Sequence, residues 1–278
     1  MQVALAAEGL WRALLRAGSG RTWAPWLALG ALQAAVLLVL PRFAHPLLSP
    51  VLLPFVRGTS GEGALHYPAF YAALPAVYAR ADLVVTAVAG ALAAGWSASL
   101  FAATWRGRGP DPGAAWAEAA PRALALVVGL LPLWLLAGFF ATAVPQAVAS
   151  QGGLVRRAAA VASLGGTALA QALFLFVPAL AVLEGRGVAG TFAALPRAWA
   201  RGFWAALLLG AALALAGLPF ARLDRVAGLL VDRHRPEWVT ALVGAALVAR
   251  LVLSFLFSGA ATLVYLGAVA GQAREGDA

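Results

Sequence analysis

The hydrophobic pattern along the chain consists of long apolar runs separated by short segments that carry arginine, glycine and proline. A helix needs about 20 apolar residues to cross a bilayer core of about 30 Å. Runs of that length without strict alternation are typical of helices rather than of barrel strands. We predict an all-α polytopic integral membrane protein, a single membrane domain over 1–278, with about six transmembrane helices at 23–40, 83–105, 123–144, 158–183, 203–220 and 242–270.

The first 22 residues predict a short amphipathic helix before the first span. At 100° per residue, apolar positions fall on one side and charged positions on the other: Val3, Ala7, Leu10 and Leu14 against Glu8, Arg12 and Arg16. Glu8 precedes Arg12 in the favourable i, i+4 order. Such a helix is expected to lie in the membrane interface.

The segments between the spans differ in length and character. Residues 41–82 form a long, proline-rich outer loop between the first two spans. Residues 106–122 and 184–201 predict short amphipathic elbows that lie in the plane of the membrane on the cytoplasmic side. The second span carries a small residue every four positions, which favours close contact with another helix.

An internal repeat connects the two elbows. Residues 104–109 read Thr-Trp-Arg-Gly-Arg-Gly and residues 182–187 read Val-Leu-Glu-Gly-Arg-Gly. Ala-Ala-Pro-Arg-Ala-Leu at 119–124 and Ala-Leu-Pro-Arg-Ala-Trp at 194–199 follow at similar spacing. Glycine allows a sharp exit from a helix, and proline suits the first turn of the next one. The sequence therefore predicts two helix–elbow–helix units of the same orientation.

The second copy of this repeat resembles a known type of bacterial membrane domain. It has a Glu184-Gly185 exit, an Arg197-Ala-Trp199 elbow and a Gly202-Phe-Trp204 re-entry. This pattern is similar to multi-pass families found as the membrane domain attached to some glycerophosphodiester phosphodiesterases. The resemblance covers about residues 156–220 and implies architecture only, because most such families have no assigned activity and no phosphodiesterase catalytic domain is present here.

Composition supports the membrane assignment. The chain is 63% hydrophobic and 11% charged, against about 45–50% apolar and about 25% charged in soluble domains. This excludes a conventional soluble enzyme and also disorder. The net charge is +9 and every basic residue is arginine. These arginines are scattered between the apolar runs, so we expect them to contact anionic headgroups rather than nucleic acid.

Orientation is predicted from the loop arginines. They divide almost evenly between the two sides, and the cluster of Arg12, Arg16 and Arg21 before the first span favours cytoplasmic termini. We expect a multi-pass protein of the bacterial inner membrane.

Candidate functional residues are charged groups at the ends of the spans. We predict contacts with lipid headgroups or a partner at Arg106, Arg108, Arg122, Glu184, Arg186, Arg197, Arg201 and Arg250. Arg250 is the one ionisable residue inside a predicted span, at a place where it can also reach the outer headgroups. No Asp or Glu is expected deep in any span, which counts against ion-coupled transport.

Three functional hypotheses follow. The first is a non-enzymatic protein that contacts membrane lipids, or other membrane subunits, and needs no cofactor or metal. The second is a transporter component for an apolar or lipid-like solute, suggested by Pro132 and Pro178 as helix kinks. The third is a membrane-embedded enzyme that uses His45, His66 and His234 of the outer segments, although no catalytic or metal-binding motif is present.

Overall fold

The computed structural model describes the backbone of residues 2–270, and the side chains of all of these except 141–142, 221–222, 224–225 and 269–270. Every regular element within this part of the chain is helical. The α-helices are α1 Gln2–Leu15, α2 Ala24–Val39, α3 Ser49–Ser60, α4 Ala69–Val85, α5 Ala91–Trp105, α6 Pro112–Ala119, α7 Ala123–Gly138, α8 Val144–Ala147, α9 Gly153–Phe174, α10 Val177–Leu183, α11 Val188–Gly217, α12 Leu223–Arg233 and α13 Trp238–Val264.

Six helical stretches are long and apolar enough to cross a membrane, which confirms the predicted number and suggests a multi-pass membrane protein. They are Gly20–Arg42, Ala69–Trp105, Pro112–Gly138, Gly153–Leu183, Val188–Phe220 and Trp238–Ala268. Each one overlaps a predicted span. π-Helical turns join α4 to α5 at Thr86–Gly90 and α7 to α8 at Phe139–Ala143.

Two predicted connecting segments differ from the structure. The outer loop predicted at 41–82 is largely helical, because it contains α3 and all of α4 up to residue 82. The apolar helical stretch that contains the second predicted span therefore begins at Ala69. The elbow predicted at 184–201 is not a separate element, since α11 starts at Val188 and continues through Pro196 to Gly217. The preceding turn, 184–187, is all that separates α10 from α11.

The segment predicted as the first elbow, 106–122, does contain a short helix. α6 is capped by Asp111, whose side chain accepts hydrogen bonds from the backbone N–H groups of Gly113 and Ala114. An Asp at this position satisfies amides that have no partner inside the helix. α6 packs against α5, and Trp96 Nε1 donates to the carbonyl of Pro112 at 2.8 Å.

The described chain divides into two compact units. One comprises residues 2–26, 87–216 and 253–270, and the other comprises 27–86 and 217–252. The single domain predicted for 1–278 thus has two centres of packing. The first unit has a core rich in alanine and leucine. The second has a smaller core around Val56, Leu74, Val77 and Val239.

Small residues set the helix contacts in the first unit. A Cβ added at Gly95 of α5 would lie 2.4 Å from Leu126 Cδ1 of α7, and one added at Gly210 would lie 2.5 Å from the carbonyl oxygen of Ala168. Such positions let two helices approach closely, which is how helices associate in lipid. Gly95 belongs to the small-residue stripe of the second span.

α1 packs lengthwise on the end of α13, also within the first unit. Its buried residues are Ala6, Gly9 and Ala13, and a Cβ added at Gly9 would lie 2.9 Å from Ala260 Cα. The predicted apolar face of α1 is largely outside this contact, with Val3 and Leu14 exposed. The helix was predicted correctly, but the face that it buries is the small-residue face.

The two prolines predicted to kink spans have different effects. Leu175 and Phe176 interrupt the fourth span between α9 and α10, directly before Pro178. Proline removes an N–H and clashes with the preceding turn, which accounts for the break. Pro132 lies inside α7, whose helical assignment continues through it.

Candidate functional site

A sharp turn at Glu184–Gly187 organises the first group of charged residues. α10 ends at Leu183, and Gly185 then adopts φ +65°. Gly107, at the matching position of the other predicted copy, adopts φ +75°. This left-handed conformation is readily available to glycine alone, which explains why both turns place glycine there.

Glu184 is the centre of this group. Its carboxylate accepts hydrogen bonds from Arg186 Nε at 2.5 Å, from Arg197 Nη2 at 2.8 and 2.9 Å, and from the Tyr265 hydroxyl. The Glu184 side chain is 22% exposed. Three of the predicted site residues therefore meet at one carboxylate, and a residue of the last helix joins them.

The electrostatics of this cluster favour ionised Glu184. Burial raises the pKa of the carboxyl group, but the hydrogen bonds from Tyr265 and Arg186 and the charges of Arg197 and Arg186 together outweigh burial. The pKa of Glu184 is consequently below its ordinary value. The carboxylate holds both guanidinium groups at the turn.

Arg122 adds a third guanidinium to the same turn. Its Nη2 atom lies 3.1 Å from the position that a Cβ at Gly185 would occupy. Arg122, Arg186 and Arg197 therefore lie around this turn. Glu184 accepts hydrogen bonds from Arg186 and Arg197. Arg106 and Arg108 lie exposed at the other glycine turn. Arg201 is half-buried on α11, where its carbonyl accepts a hydrogen bond from Gln2 Nε2 at 2.7 Å.

Arg250 belongs to a different cluster, in the second unit. Its Nη1 atom lies 3.6 Å from Asp82 Oδ2, and its guanidinium carbon lies 5.2 Å from the centre of the Phe220 ring. Asp82 Oδ1 accepts hydrogen bonds from Gln33 Nε2 at 2.7 Å and from the Thr86 hydroxyl at 3.3 Å. Arg250 thus pairs with a largely buried carboxylate, while its own side chain is 38% exposed.

This second cluster lies inside helical stretches that are long and apolar enough to cross a membrane. Gln33 is 13 residues from the start and nine residues from the end of Gly20–Arg42, which is about 20 Å and about 14 Å at about 1.5 Å per residue. It is 6% exposed, and it contacts Asp82 directly. Asp82 lies inside the helical stretch Ala69–Trp105, 13 residues after its first residue, whereas the predicted second span begins at residue 83.

Two polar atoms near this cluster have no hydrogen-bond partner. They are Gln33 Oε1 and the hydroxyl oxygen of Tyr78, which lies one helical turn before Asp82. Tyr78 is 3% exposed. Buried polar atoms of this kind are uncommon in proteins and call for an explanation.

The three histidines do not form a site with acidic residues. His45, His66 and His234 are each exposed. Among the described side chains there is no group of three or more His, Asp or Glu residues that could hold a metal ion.

No protein family, curated protein or solved structure matches this chain. The resemblance to phosphodiesterase-associated membrane domains consequently stays a prediction from residues 156–220.

Proposed function

We propose that this chain is a non-enzymatic integral protein of the bacterial inner membrane whose arginine-bearing turns bind anionic lipid headgroups. The observation that carries the proposal is the group of Arg122, Arg186 and Arg197 around the Glu184–Gly185 turn. Only one carboxylate, Glu184, pairs with these arginines among the described side chains. The remaining positive charge favours a phosphate group.

The positions of these arginines also suit the interface. Glu184 and Arg186 lie between two candidate spans, Gly153–Leu183 and Val188–Phe220. Trp199, about three turns into α11, donates its indole N–H to the carbonyl of Leu173 at 2.8 Å. Tryptophan and arginine near span ends are typical of the headgroup region. The arginines before the first span favour cytoplasmic termini; Arg274 lies outside the described residues.

Lipid retention by the purified protein tests the proposal. We expect native mass spectrometry to show more phosphatidylglycerol than phosphatidylcholine bound to the wild type. The double variant R122Q/R197Q should lose most of this preference. The matched control is R57Q, which removes an exposed arginine paired with Glu62. Equal retention of both lipids by the wild type, or equal loss in R57Q, would contradict the proposal.

A transporter component for an apolar or lipid-like solute is the second candidate. The break at Leu175–Phe176 before Pro178 favours it, because an interrupted helix frees backbone groups inside a span. Solute flux in proteoliposomes, reduced in P178A and unchanged in P41A, would support this candidate. Equal flux with and without the protein would remove it. Other membrane subunits that associate with the chain would be detected as proteins that co-purify with it in the lipid-retention experiment.

A further inference from the structure

We infer that Asp82, Gln33, Tyr78 and Arg250 form a hydrated proton-binding site inside the membrane, in which Asp82 takes up the proton and Arg250 is the counter-ion. The inference is independent of lipid binding at Glu184. It depends on the contacts within the second unit and on the depth of Gln33 in its span.

The hydrogen bonds of the cluster leave polar atoms without a partner. The 3.6 Å separation of Arg250 Nη1 and Asp82 Oδ2 is too long for a direct hydrogen bond. Gln33 Oε1 is an acceptor without a donor, and the Tyr78 hydroxyl is without a partner. Water is small enough, and both donor and acceptor enough, to bridge such groups.

The charged groups of the cluster have partners in both protonation states of Asp82. As a carboxylate, Asp82 is held by Gln33, Thr86 and the charge of Arg250. Once Asp82 is neutral, Arg250 keeps its charge and has the Phe220 ring as a second partner, 5.2 Å away. Arg250 therefore keeps a partner in both protonation states of Asp82, and ionisable groups inside a membrane are usually functional.

Few other charged groups face Asp82. Its own helix brings Tyr78 and Thr86, α2 brings Gln33 and α13 brings Arg250. α12 also packs against α4, but its described charged residues Asp232 and Arg233 are exposed. Arg80, two residues before Asp82, is directed to the carbonyls of Gly58 and Thr59 instead.

The chemical step is a single proton transfer. A hydronium ion or water chain in contact with the aqueous phase gives one proton to Asp82 Oδ2, an O–H bond forms, and the carboxylate becomes a neutral acid. The reverse step returns the proton to water. No electron moves, and Arg250 keeps all its protons throughout.

Infrared difference spectroscopy on the purified full chain in lipid vesicles tests this site. We expect lowering the pH to produce the C=O stretching band of a protonated carboxyl group, and D₂O to shift that band. The chain has 11 Asp and Glu side chains, so other carboxyl groups contribute to this band. One component of the band should be missing in D82N and present in E62Q, which removes an exposed carboxylate of the same unit. Identical titrating bands in the folded wild type and in D82N would overturn the inference.

A second variant separates proton uptake from structural support. In R250Q the Asp82 carboxylate loses its counter-ion. We therefore expect the pH midpoint of the Asp82 contribution to the C=O band to move to higher pH. A pair that only stabilises the fold would lower the unfolding temperature of R250Q without moving any infrared midpoint. That outcome would also overturn the inference, and it does not depend on D82N being folded.

Discussion

Glu184 connects three elements through one side chain. It lies after α10, receives Arg197 from α11 and Tyr265 from the end of the last span, and is held from its own turn by Arg186. Hydrogen bonds to a charged acceptor contribute more than those between neutral groups. Removing this carboxylate leaves two guanidinium groups and a buried hydroxyl without their common partner.

E184Q is therefore expected to lower the free energy of unfolding by about 1.5–3 kcal/mol, the usual range for hydrogen bonds to charged groups. Thermal unfolding in detergent measures it. E62Q is the control, because its exposed ion pair with Arg57 is expected to contribute at most about 1 kcal/mol. Equal effects of the two substitutions would show that Glu184 has no special structural role.

The pH dependence of stability gives a second prediction for the same residue. Because the pKa of Glu184 is lowered in the folded protein, the unfolded chain binds more protons over the range between the lowered and the ordinary value. Stability due to Glu184 is thus complete above the ordinary value and is lost as the pH falls through the lowered one. The unfolding temperature of E184Q should fall less than that of the wild type in acid.

Sequence reasoning found some of these residues and missed others for a physical reason. Glu184, Arg186 and Arg197 could be predicted, because charges that end apolar runs stand out. Tyr265 is distant along the chain and sits in an apolar run, so no local pattern connects it with Glu184. Asp82 directly precedes the predicted second span, 83–105, and no local pattern connects it with Gln33 or Arg250, which are distant along the chain.

Among the helices, α1 packs through its small residues and leaves its large apolar side chains exposed. Its buried positions are Ala6, Gly9 and Ala13, while Trp11 is 60% and Leu15 is 64% exposed on the protein surface. In water large apolar side chains would turn inward, whereas in lipid they are well solvated and helices meet through small residues. The amphipathic pattern therefore predicted that α1 exists but not which face packs on α13.

Substituting Gly9 tests this contact. We expect G9A to destabilise the protein by about 1–3 kcal/mol, because its methyl group would press on backbone atoms of Ala260. This loss exceeds the gain of at most about 1 kcal/mol from replacing glycine inside a helix. G18A is the control, since a Cβ there meets nothing within 4 Å. A neutral or stabilising G9A would contradict the close packing of α1 on α13.

At the scale of the whole molecule, the number of spans could be predicted but their lengths could not. Hydrophobic runs mark the apolar part of a helix, whereas the helix itself continues into mixed sequence where hydrogen bonds permit. Ala69–Trp105 has 37 residues and passes through Pro75, Arg80 and Asp82. The same continuation joins the predicted second elbow to α11. How far a helix continues beyond the length of a bilayer core is thus decided by packing rather than by hydropathy.

Large apolar side chains remain on the outside of both units. Leu135 and Trp204 of the first unit are each 65% exposed, and Val51 of the second is 72% exposed. A water-soluble protein rarely leaves so many such residues uncovered. Together with the six apolar helical stretches, they support lipid as the surroundings of the chain, and they predict aggregation when detergent is withdrawn.

Cysteine labelling from one side of the membrane tests six crossings most directly, because the chain has no cysteine of its own. A single cysteine fits without a clash at glycines outside the apolar stretches where an added Cβ meets nothing within 4 Å. It also fits at His234, which is exposed. We expect G18C, G109C and G187C to be protected from an impermeant maleimide added outside intact cells, and G58C, G152C and H234C to react. Reaction at all six positions, or a pattern that does not alternate along the chain, would contradict a six-span membrane protein with cytoplasmic termini.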